Sequence, residues 1–255
     1  MIITMMKLRK EHWKFLKINE VLMIDLKNKV IMISGANRGI GYATAKLLKE
    51  KGCVLSLAAR NPNEIKVDGD NILKCIWDAK EKKLSKNWVS KTISHFNKID
   101  GLVMNAGVEL GGDLEGDSEE EFDEMFEVNF KGPLRLVRET LPELRKTGSG
   151  RIINVVSLAG KRPRNPKILG YSASKFAAMS LTNAIRISGW DDGVRATSVC
   201  PGMVRTRMTD EVTVPDGEFK MEPEAIAETI SYALTLPNSA AVAEILVNSR
   251  LESMF

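Results

Sequence analysis

Short apolar runs alternate with longer amphipathic stretches along the chain from residue 30 onward. The runs lack the polar alternation of half-exposed strands, so they are typical of parallel strands that are covered on both faces. We predict strands at 30–34, 53–59, 71–77, 99–104, 151–157 and 195–200, with a short last candidate at 244–247.

The amphipathic stretches between these runs predict the helices. One follows the first strand as far as Lys51, and another buries one face with Leu84, Trp88, Ile93 and Phe96. Three more are predicted at 118–147, 171–189 and 223–234, the first with a capping box of Ser118 and Glu121. Because strands and helices alternate, we predict an α/β fold: a single-domain, doubly wound, Rossmann-type parallel sheet with helices on both faces.

Pro133 interrupts the pattern of the longest predicted helix. A proline has no backbone N–H, so we expect it to bend or break the helix one turn after Asn129. Such a break would free a carbonyl group or hold a water near Asn129.

The chain divides into two unequal parts. Residues 1–22 read as an N-terminal extension that we expect to be flexible, with Met23 as a candidate start of the domain at 23–255. The stretch 206–222 is polar and aperiodic, and it predicts a mobile lid over the site.

Charge and composition exclude several classes of function. Hydrophobic residues make up 44% and charged residues 27%, which is ordinary for a globular protein. The net charge is +4, and residues 1–22 carry +3 of it (five Lys/Arg against two acids), so no nucleic-acid partner is expected. No apolar run approaches the about 18 residues of a membrane span, so no membrane partner is expected either.

Cysteine and histidine usage points away from disulfides and metals. Cys53, Cys75 and Cys200 stand far apart in apolar surroundings, which indicates reduced thiols and a cytoplasmic location. His12 and His95 are isolated, and no spacing indicates a metal site.

A glycine-rich turn follows the first predicted strand. Its glycines, spaced G-x-x-x-G-x-G, allow a phosphate to approach the backbone at a helix N-terminus, although a structural turn is the alternative. The candidate phosphate-binding residues are Gly35, Asn37, Arg38, Gly39, Ile40 and Gly41. An acid that would accept the ribose 2′-hydroxyl of NAD is missing after the second strand, where Ala59, Arg60 and Asn61 stand. Arg38 and Arg60 suit a 2′-phosphate instead, so NADP(H) is the expected cofactor.

Tyr171 and Lys175 are the candidate acid/base pair. Four residues apart on a helix, they share one face, where the ammonium is expected to lower the pKa of the phenol. Ser157, at the end of the fifth strand, can hydrogen-bond the oxygen that Tyr171 protonates. A helical tyrosine beside a solvated lysine is the alternative.

Several of these features are expected to meet at one edge of the sheet. The Gly35 turn, the turn at Asn105 and Ser157 all follow the carboxyl ends of strands, where ligands of such sheets bind. The basic loop from Lys161 to Lys167 either attracts an anionic substrate group or is solvated or paired with the acidic segment 109–127 of a neighbouring subunit.

The ordered motifs resemble those of the classical short-chain dehydrogenase/reductase family over about residues 26–236. They are SGANRGIG (34–41), MNAG (104–107), VNFKG (128–132), INVVSLAG (153–160), YSASK (171–175) and CPGMVRT (200–206). The resemblance implies that Ser157 orients the substrate oxygen, Tyr171 transfers the proton, and Lys175 lowers the tyrosine pKa and binds the nicotinamide ribose. It implies that Asn129 holds a water linking Lys175 to solvent. The other implied cofactor contacts are Asp78 to adenine, Asn105, Ala106 and Gly107 beside its ribose, and Pro201, Gly202, Val204 and Thr206 to the nicotinamide amide.

The expected function is hydride transfer between NADP(H) and a carbonyl or secondary alcohol. A 3-oxoacyl thioester reductase and a non-catalytic NADP(H)-sensing protein are the alternatives. The region 243–251 departs from the family's usual C-terminal glycine pair, which puts the common tetramer interface in doubt. We therefore expect a homodimer through 118–147 and 171–189, with a tetramer as the alternative.

Overall fold

The computed structural model describes residues 23–115, 119–163, 165–214 and 219–251. Four expectations fall outside these residues. They concern the extension 1–22, the capping residue Ser118, Arg164 of the basic loop and the middle of the predicted lid, 215–218.

All seven predicted strands are present, and their ends differ from the predicted ones by no more than two residues. They are Val30–Ser34 (β1), Val54–Ala59 (β2), Ile72–Ile76 (β3), Gly101–Met104 (β4), Arg151–Val155 (β5), Arg195–Pro201 (β6) and Glu244–Val247 (β7). They form one sheet in the order β3-β2-β1-β4-β5-β6-β7, and every neighbouring pair is parallel. The order reverses between β1 and β4, which makes the carboxyl ends of these two strands the expected ligand crevice.

The helices cover both faces of the sheet. They are Gly39–Glu50 (α1), Lys82–Phe96 (α2), Glu119–Phe126 (α3), Gly132–Lys146 (α4), Leu169–Gly189 (α5) and Pro223–Thr235 (α6). Leu48 of α1 and Ile226 and Ile230 of α6 are buried in the core on one face. Trp88 of α2, Leu136 of α4 and Leu181 of α5 are buried in the core on the other face. The doubly wound fold is confirmed.

The buried face of α2 matches the predicted one in part, since Leu84 and Ile93 pack against the same core as Trp88. Trp88 is in the core as predicted, but its fully buried neighbours are Ser85, Val89 and Thr92, whereas Leu84, Ile93 and Phe96 are only partly buried. The cause is a buried polar cluster: Trp88 Nε1 donates to Ser56 Oγ of β2 at 2.8 Å, and Ser56 Oγ lies 2.7 Å from Thr92 Oγ1. Small hydroxyl residues let the helix approach the sheet while satisfying each other's hydrogen bonds.

Pro133 interrupts the α-helical hydrogen-bond pattern without breaking the helix. A π-helical segment, Glu127–Lys131, joins α3 to α4, and Gly132 N donates to Glu127 O five residues back. Pro133 lies at the beginning of α4, where a missing N–H costs nothing. Asn129 lies inside this segment, and π segments of this kind often occur at functional sites.

Arg151 is a buried arginine at the end of the sheet opposite the predicted site, and its hydrogen bonds in the described chain go to oxygen atoms of neutral groups. Its Nε and Nη2 donate to Leu236 O at 3.0 and 2.7 Å, which caps the C-terminus of α6. Further bonds reach Gly193 O at 3.3 Å and Asn238 Oδ1 at 2.8 Å. Burial lowers the pKa of Arg151 to about 10, so the guanidinium remains charged at neutral pH and complements the helix dipole.

Arg151→Met is expected to lower the free energy of unfolding by about 3 kcal/mol, because several buried carbonyl groups lose their donors. Urea denaturation followed by circular dichroism measures this difference. Arg205→Met is the matched control, because Arg205 is exposed and forms a salt bridge with the exposed Glu222; it should change stability by less than about 1 kcal/mol. A loss at Arg151 no larger than the loss at Arg205 would contradict the capping role.

The three cysteines are free and buried. Burial raises the pKa of Cys53 to about 12 and that of Cys200 to about 11, so both are neutral thiols at physiological pH. Within the described part of the chain, no helix has the length and apolar character required to cross a bilayer.

Candidate active site

The glycine turn between β1 and α1 is shaped for a ligand close to the backbone. Gly35 and Gly39 have positive φ angles of 66° and 54°, which favour glycine. A Cβ at Gly41 would collide with the carbonyl oxygen of Gly35 and lie 2.5 Å from Asn105 Nδ2. The N-cap residue of α1, Arg38, makes no side-chain capping bond, so the first N–H groups of the helix face outward without a cap.

Two other turns are attached to the glycine turn. Asn105 Nδ2 donates to Ser34 O and Gly35 O at 3.1 and 3.2 Å, and Ser34 Oγ accepts from the backbone N–H groups of Asn105 and Ala106. From the other side, Thr206 Cγ2 lies 3.1 Å from the position that a Cβ of Gly39 would take. The predicted convergence of the turns after β1 and β4 is therefore present in the structure, and the turn after β6 joins them.

Two exposed arginines flank the far end of this turn. Arg38 belongs to the turn itself, and Arg60 directly follows β2. Within the described chain, neither guanidinium pairs with a carboxylate. The nearby Glu64 carboxylate is held instead by Asn37 Nδ2 at 2.9 Å and by Asn61 Nδ2 at 3.3 Å. Both arginines thus remain available for an anionic group.

These features fit a dinucleotide. The missing side chain of Gly41 lets the turn close tightly against Gly35 and Asn105, the uncapped end of α1 suits a pyrophosphate, and Arg38 with Arg60 suits a further phosphate. Asp78, just beyond β3, lies along the same edge of the sheet, with its Oδ1 accepting from Lys80 N at 2.9 Å.

The predicted catalytic residues lie at the carboxyl end of β5. Tyr171 and Lys175 share one face of α5, and Lys175 Nζ is 5.6 Å from the centroid of the Tyr171 ring. Lys175 Nζ donates to Val155 O at 3.2 Å. Ser157, two residues further along from Val155, accepts from Ala159 N at 3.1 Å and is close enough to Tyr171 to lower the pKa of the phenol.

The pKa of Tyr171 differs from the expectation. Burial raises the pKa of Tyr171 above its ordinary value of 10.0, the nearby Glu109 charge adds to the rise, and Ser157 acts in the opposite direction. The expected lowering by Lys175 is wrong for the chain without a ligand, because desolvation of the phenolate is the largest effect. Burial also lowers the pKa of Lys175 to about 8. Tyr171 is therefore a neutral proton donor at neutral pH.

Lys175→Met is expected to stabilise the cofactor-free fold by about 3 kcal/mol at pH 7, because the pKa falls from 10.5 to about 8 and each pKa unit corresponds to about 1.4 kcal/mol. The folded pKa of about 8 lies below the ordinary 10.5, so the unfolded chain binds more protons between these values. The cost of the buried charge is complete below pH 8 and disappears as the pH rises towards 10.5. Urea denaturation at pH 7 and pH 10 should show the advantage of the variant shrinking.

Lys46→Met is the control for this measurement, since Lys46 is exposed on α1. Its effect should be small and the same at both pH values. An advantage of Lys175→Met that does not change with pH would contradict a charge-burial cost.

Asn129 joins the π-helical segment to the loop after β4. Its Nδ2 donates to Val108 O at 2.8 Å and to Ser174 Oγ at 3.0 Å, and its Oδ1 accepts from Val108 N at 2.9 Å. Ser174 Oγ in turn donates to Tyr171 O at 2.7 Å. Sequence reasoning missed Val108 and Ser174, although Ser174 lies inside the motif 171–175 and Val108 directly follows the motif 104–107.

The residues after β6 form the remaining wall of the site. Gly202 N donates to Val247 O at 2.8 Å, and Val204 forms an isolated bridge with Met221. Lys220 Nζ also donates to Thr209 O. Pro201, Gly202, Val204 and Thr206 are thereby fixed near the glycine turn. The two ends of 206–222 are tied together, and the lid role of this stretch remains a prediction.

The basic loop is partly neutralised within its own chain. Lys161 Nζ forms a 2.6 Å salt bridge with Glu244 of β7. The pairing of Lys161 is thus internal, whereas we had expected a substrate anion, solvent or a neighbouring subunit.

Comparison with known protein families and sequences gives a consistent picture. The family model described as short chain dehydrogenase matches residues 29–216. An uncharacterized oxidoreductase of Staphylococcus epidermidis is 35% identical over 229 residues, which cover 88% of this chain and 99% of that protein. An agropine synthesis reductase of Rhizobium rhizogenes is 35% identical over 224 residues, covering 85% of this chain and 51% of the relative. The chain therefore spans about half the length of the agropine synthesis reductase.

Solved structures share the whole fold. An alcohol dehydrogenase of Thermococcus sibiricus, complexed with 5-hydroxy-NADP, is 31% identical with a TM-score of 0.80 and covers 89% of this chain and 100% of its own. A 3-ketoacyl-(acyl-carrier-protein) reductase of Brucella melitensis, complexed with NADH, is 27% identical with a TM-score of 0.81 and covers 88% and 98%. With the glycine turn, the parallel sheet and the motif residues in place, the chain belongs to the classical short-chain dehydrogenase/reductase family of oxidoreductases.

Proposed function

We propose that this protein reduces a carbonyl compound to a secondary alcohol with NADPH as the hydride donor. The observation that supports this most directly is the position of Tyr171, Lys175 and Ser157 at the carboxyl end of β5, beside a glycine turn that suits a dinucleotide. The alcohol dehydrogenase of Thermococcus sibiricus, whose structure holds an NADP derivative, supports the same reading.

Residues of the protein would supply the proton and would polarise the carbonyl group of the substrate. NADPH, when bound, supplies the hydride that adds to the carbonyl carbon. Tyr171 then gives its phenolic proton to the carbonyl oxygen, which Ser157 orients through a hydrogen bond. The buried Lys175 ammonium stabilises the phenolate that remains, and the raised pKa of Tyr171 keeps the proton in place until the substrate accepts it.

The preference for NADP(H) over NAD(H) rests on Arg38 and Arg60. Two unpaired guanidinium groups beside the end of the cradle favour a 2′-phosphate, and a carboxylate at the end of β2 that would accept a 2′-hydroxyl is absent. The Brucella melitensis relative was crystallised with NADH, so the choice of cofactor must be measured on this protein.

The direct test is NADPH oxidation followed at 340 nm with a panel of ketones, aldehydes and 3-oxoacyl thioesters. Turnover of simple ketones supports the carbonyl reductase, and turnover restricted to thioesters supports the 3-oxoacyl alternative. Tight NADPH binding without turnover of any compound, and without a difference between wild type and Tyr171→Phe, would favour the cofactor-sensing alternative.

The proposal extends to the oligomeric state of the protein and its location in the cell. We propose a cytoplasmic homodimer built on the long helices, since α5 exposes Phe176 and Ile187 at 45% and 82%. Light scattering after size exclusion would give the mass, and a monomer or a tetramer would overturn the dimer.

A further inference from the structure

The loop that follows β4 brings negative charge to the catalytic residues. From Val108 to Glu115 the sequence contains three acids, Glu109, Asp113 and Glu115, and no base. Glu109 is the acid nearest to the motif 104–107, and it is exposed. Nothing in the proposed proton transfer uses it.

Two contacts hold this loop in place, one to the π-helical segment and one to the catalytic helix α5. On one side, both backbone groups of Val108 bond to the Asn129 amide, at 2.9 and 2.8 Å. On the other side, Gly170 N, next to Tyr171, donates to Gly112 O at 3.2 Å. Glu109 lies between these two anchors.

The loop also lies directly beside the catalytic lysine. A Cβ on Gly107, two residues before Glu109, would lie only 3.4 Å from Lys175 Nζ. The loop thus runs beside the reacting groups, and the Glu109 side chain that it carries is exposed.

Glu109 and the catalytic residues Tyr171 and Lys175 interact electrostatically. The Glu109 carboxylate raises the pKa of both Tyr171 and Lys175. Partial desolvation raises the pKa of Glu109 itself, even though the residue is exposed overall, and Lys175 acts in the opposite direction. Within the described residues, no hydrogen bond or salt bridge engages the Glu109 carboxylate, so it is available to interact with a bound substrate.

The competing positive charge of the neighbouring basic loop is reduced. Lys161 is paired with Glu244 at 2.6 Å and is not available to a substrate anion.

We propose that Glu109 selects carbonyl substrates that carry a positively charged nitrogen and disfavours those that carry a carboxylate. The proposal rests on the carbonyl reduction proposed above and names the class of substrate that this site accepts. A cation within a few ångströms of Glu109 gains attraction, whereas a carboxylate at the same place is repelled by the same charge.

Three ketones of similar shape test the proposal. They are 5-(trimethylammonio)pentan-2-one, its neutral carbon counterpart 6,6-dimethylheptan-2-one, and 5-oxohexanoate. For the wild type at low salt, kcat/KM should fall from the cation to the neutral ketone to the anion, by about tenfold at each step. Adding about 0.5 M NaCl should compress this range.

Glu109→Gln keeps the size of the side chain and removes its charge. The ratio of kcat/KM for the cation to that for the anion should then fall by at least about tenfold, mainly through KM. Glu50→Gln, an exposed acid at the end of α1, is the control and should leave the ratio unchanged. Because the readout is a ratio, a change in the Tyr171 pKa that affects all three ketones cancels.

The outcomes separate the two proposals. Turnover with an unchanged ratio in Glu109→Gln, or a wild type that prefers 5-oxohexanoate, overturns the role of Glu109 and leaves carbonyl reduction standing. Absence of turnover with all three ketones and with the wider panel overturns carbonyl reduction, and the role of Glu109 with it.

Discussion

Tyr171→Phe is expected to lower kcat for ketone reduction about 1000-fold, because a positioned general acid contributes about 10²- to 10⁴-fold. The substitution removes only the phenolic oxygen, and the ring, which is 8% exposed, keeps its packing. The dissociation constant of NADPH should therefore stay within about threefold of wild type, since less than about 1 kcal/mol of binding is at stake. Stopped-flow or steady-state NADPH absorbance gives kcat, and quenching of protein fluorescence gives the dissociation constant.

Two further variants sharpen this result. Tyr232→Phe alters an exposed tyrosine on α6 and should leave both quantities unchanged. Lys175→Met should damage both, since Lys175 is proposed to support the phenolate and to bind the nicotinamide ribose. If Tyr171→Phe retains more than a tenth of the wild-type kcat, another group is the proton donor.

Replacing Arg38 and Arg60 together by Gln is expected to raise the dissociation constant of NADPH about 100-fold. Each charged hydrogen bond to a phosphate contributes about 1.5 to 3 kcal/mol, and a total of about 3 kcal/mol corresponds to a factor of about 100. NADH lacks the 2′-phosphate, so its dissociation constant should change by less than about threefold. Fluorescence titration with both cofactors at one fixed salt concentration measures the two values.

Arg205→Gln is the matched control, because Arg205 is exposed and paired with Glu222 at 2.8 Å. It should affect neither cofactor. An equal loss of NADPH and NADH affinity in the double variant would show that the arginines hold a part common to both cofactors. Tighter binding of NADH than of NADPH by the wild type would overturn the cofactor proposal itself.

The sheet could be predicted closely because its signal is local. Buried parallel strands require continuous apolar runs, and such runs stand out between amphipathic stretches. The interior face of α2 could not be predicted in the same way. Its position depends on the hydrogen bonds of Trp88 and Thr92 with Ser56, a residue of another element that no helical periodicity includes. The π-helical segment before Pro133 lies between these cases, since the proline predicts an interruption without fixing its type.

The features of the site also differ in how well the sequence predicted them. The Gly35 turn, the Asn105 turn and Ser157 follow three different strand ends and were expected to converge. The contact of Asn105 with Ser34 joins the first two, and the contact of Thr206 with Gly39 adds the turn after β6. The expected lowering of the Tyr171 pKa was wrong, because the sequence spacing reveals the nearby lysine but not the burial of the phenol. Glu109 carries no motif, so only its place on the loop beside Lys175 brings it into the argument.

The central position of β1 has a consequence for how the chain is made. β1 is synthesised before the other six strands of the sheet, yet one of its two edges pairs with β4, where Ile31 lies opposite Gly101, 70 residues later (101 minus 31). At about 5 to 20 residues per second, translation leaves that edge without its partner for about 4 to 14 s. An open strand edge is a template for pairing with other chains. In a nascent chain of this protein, β1 to β3 can therefore form a partial sheet before β4 exists. During that interval β1, which is an interior strand of the finished sheet, is an exposed edge strand.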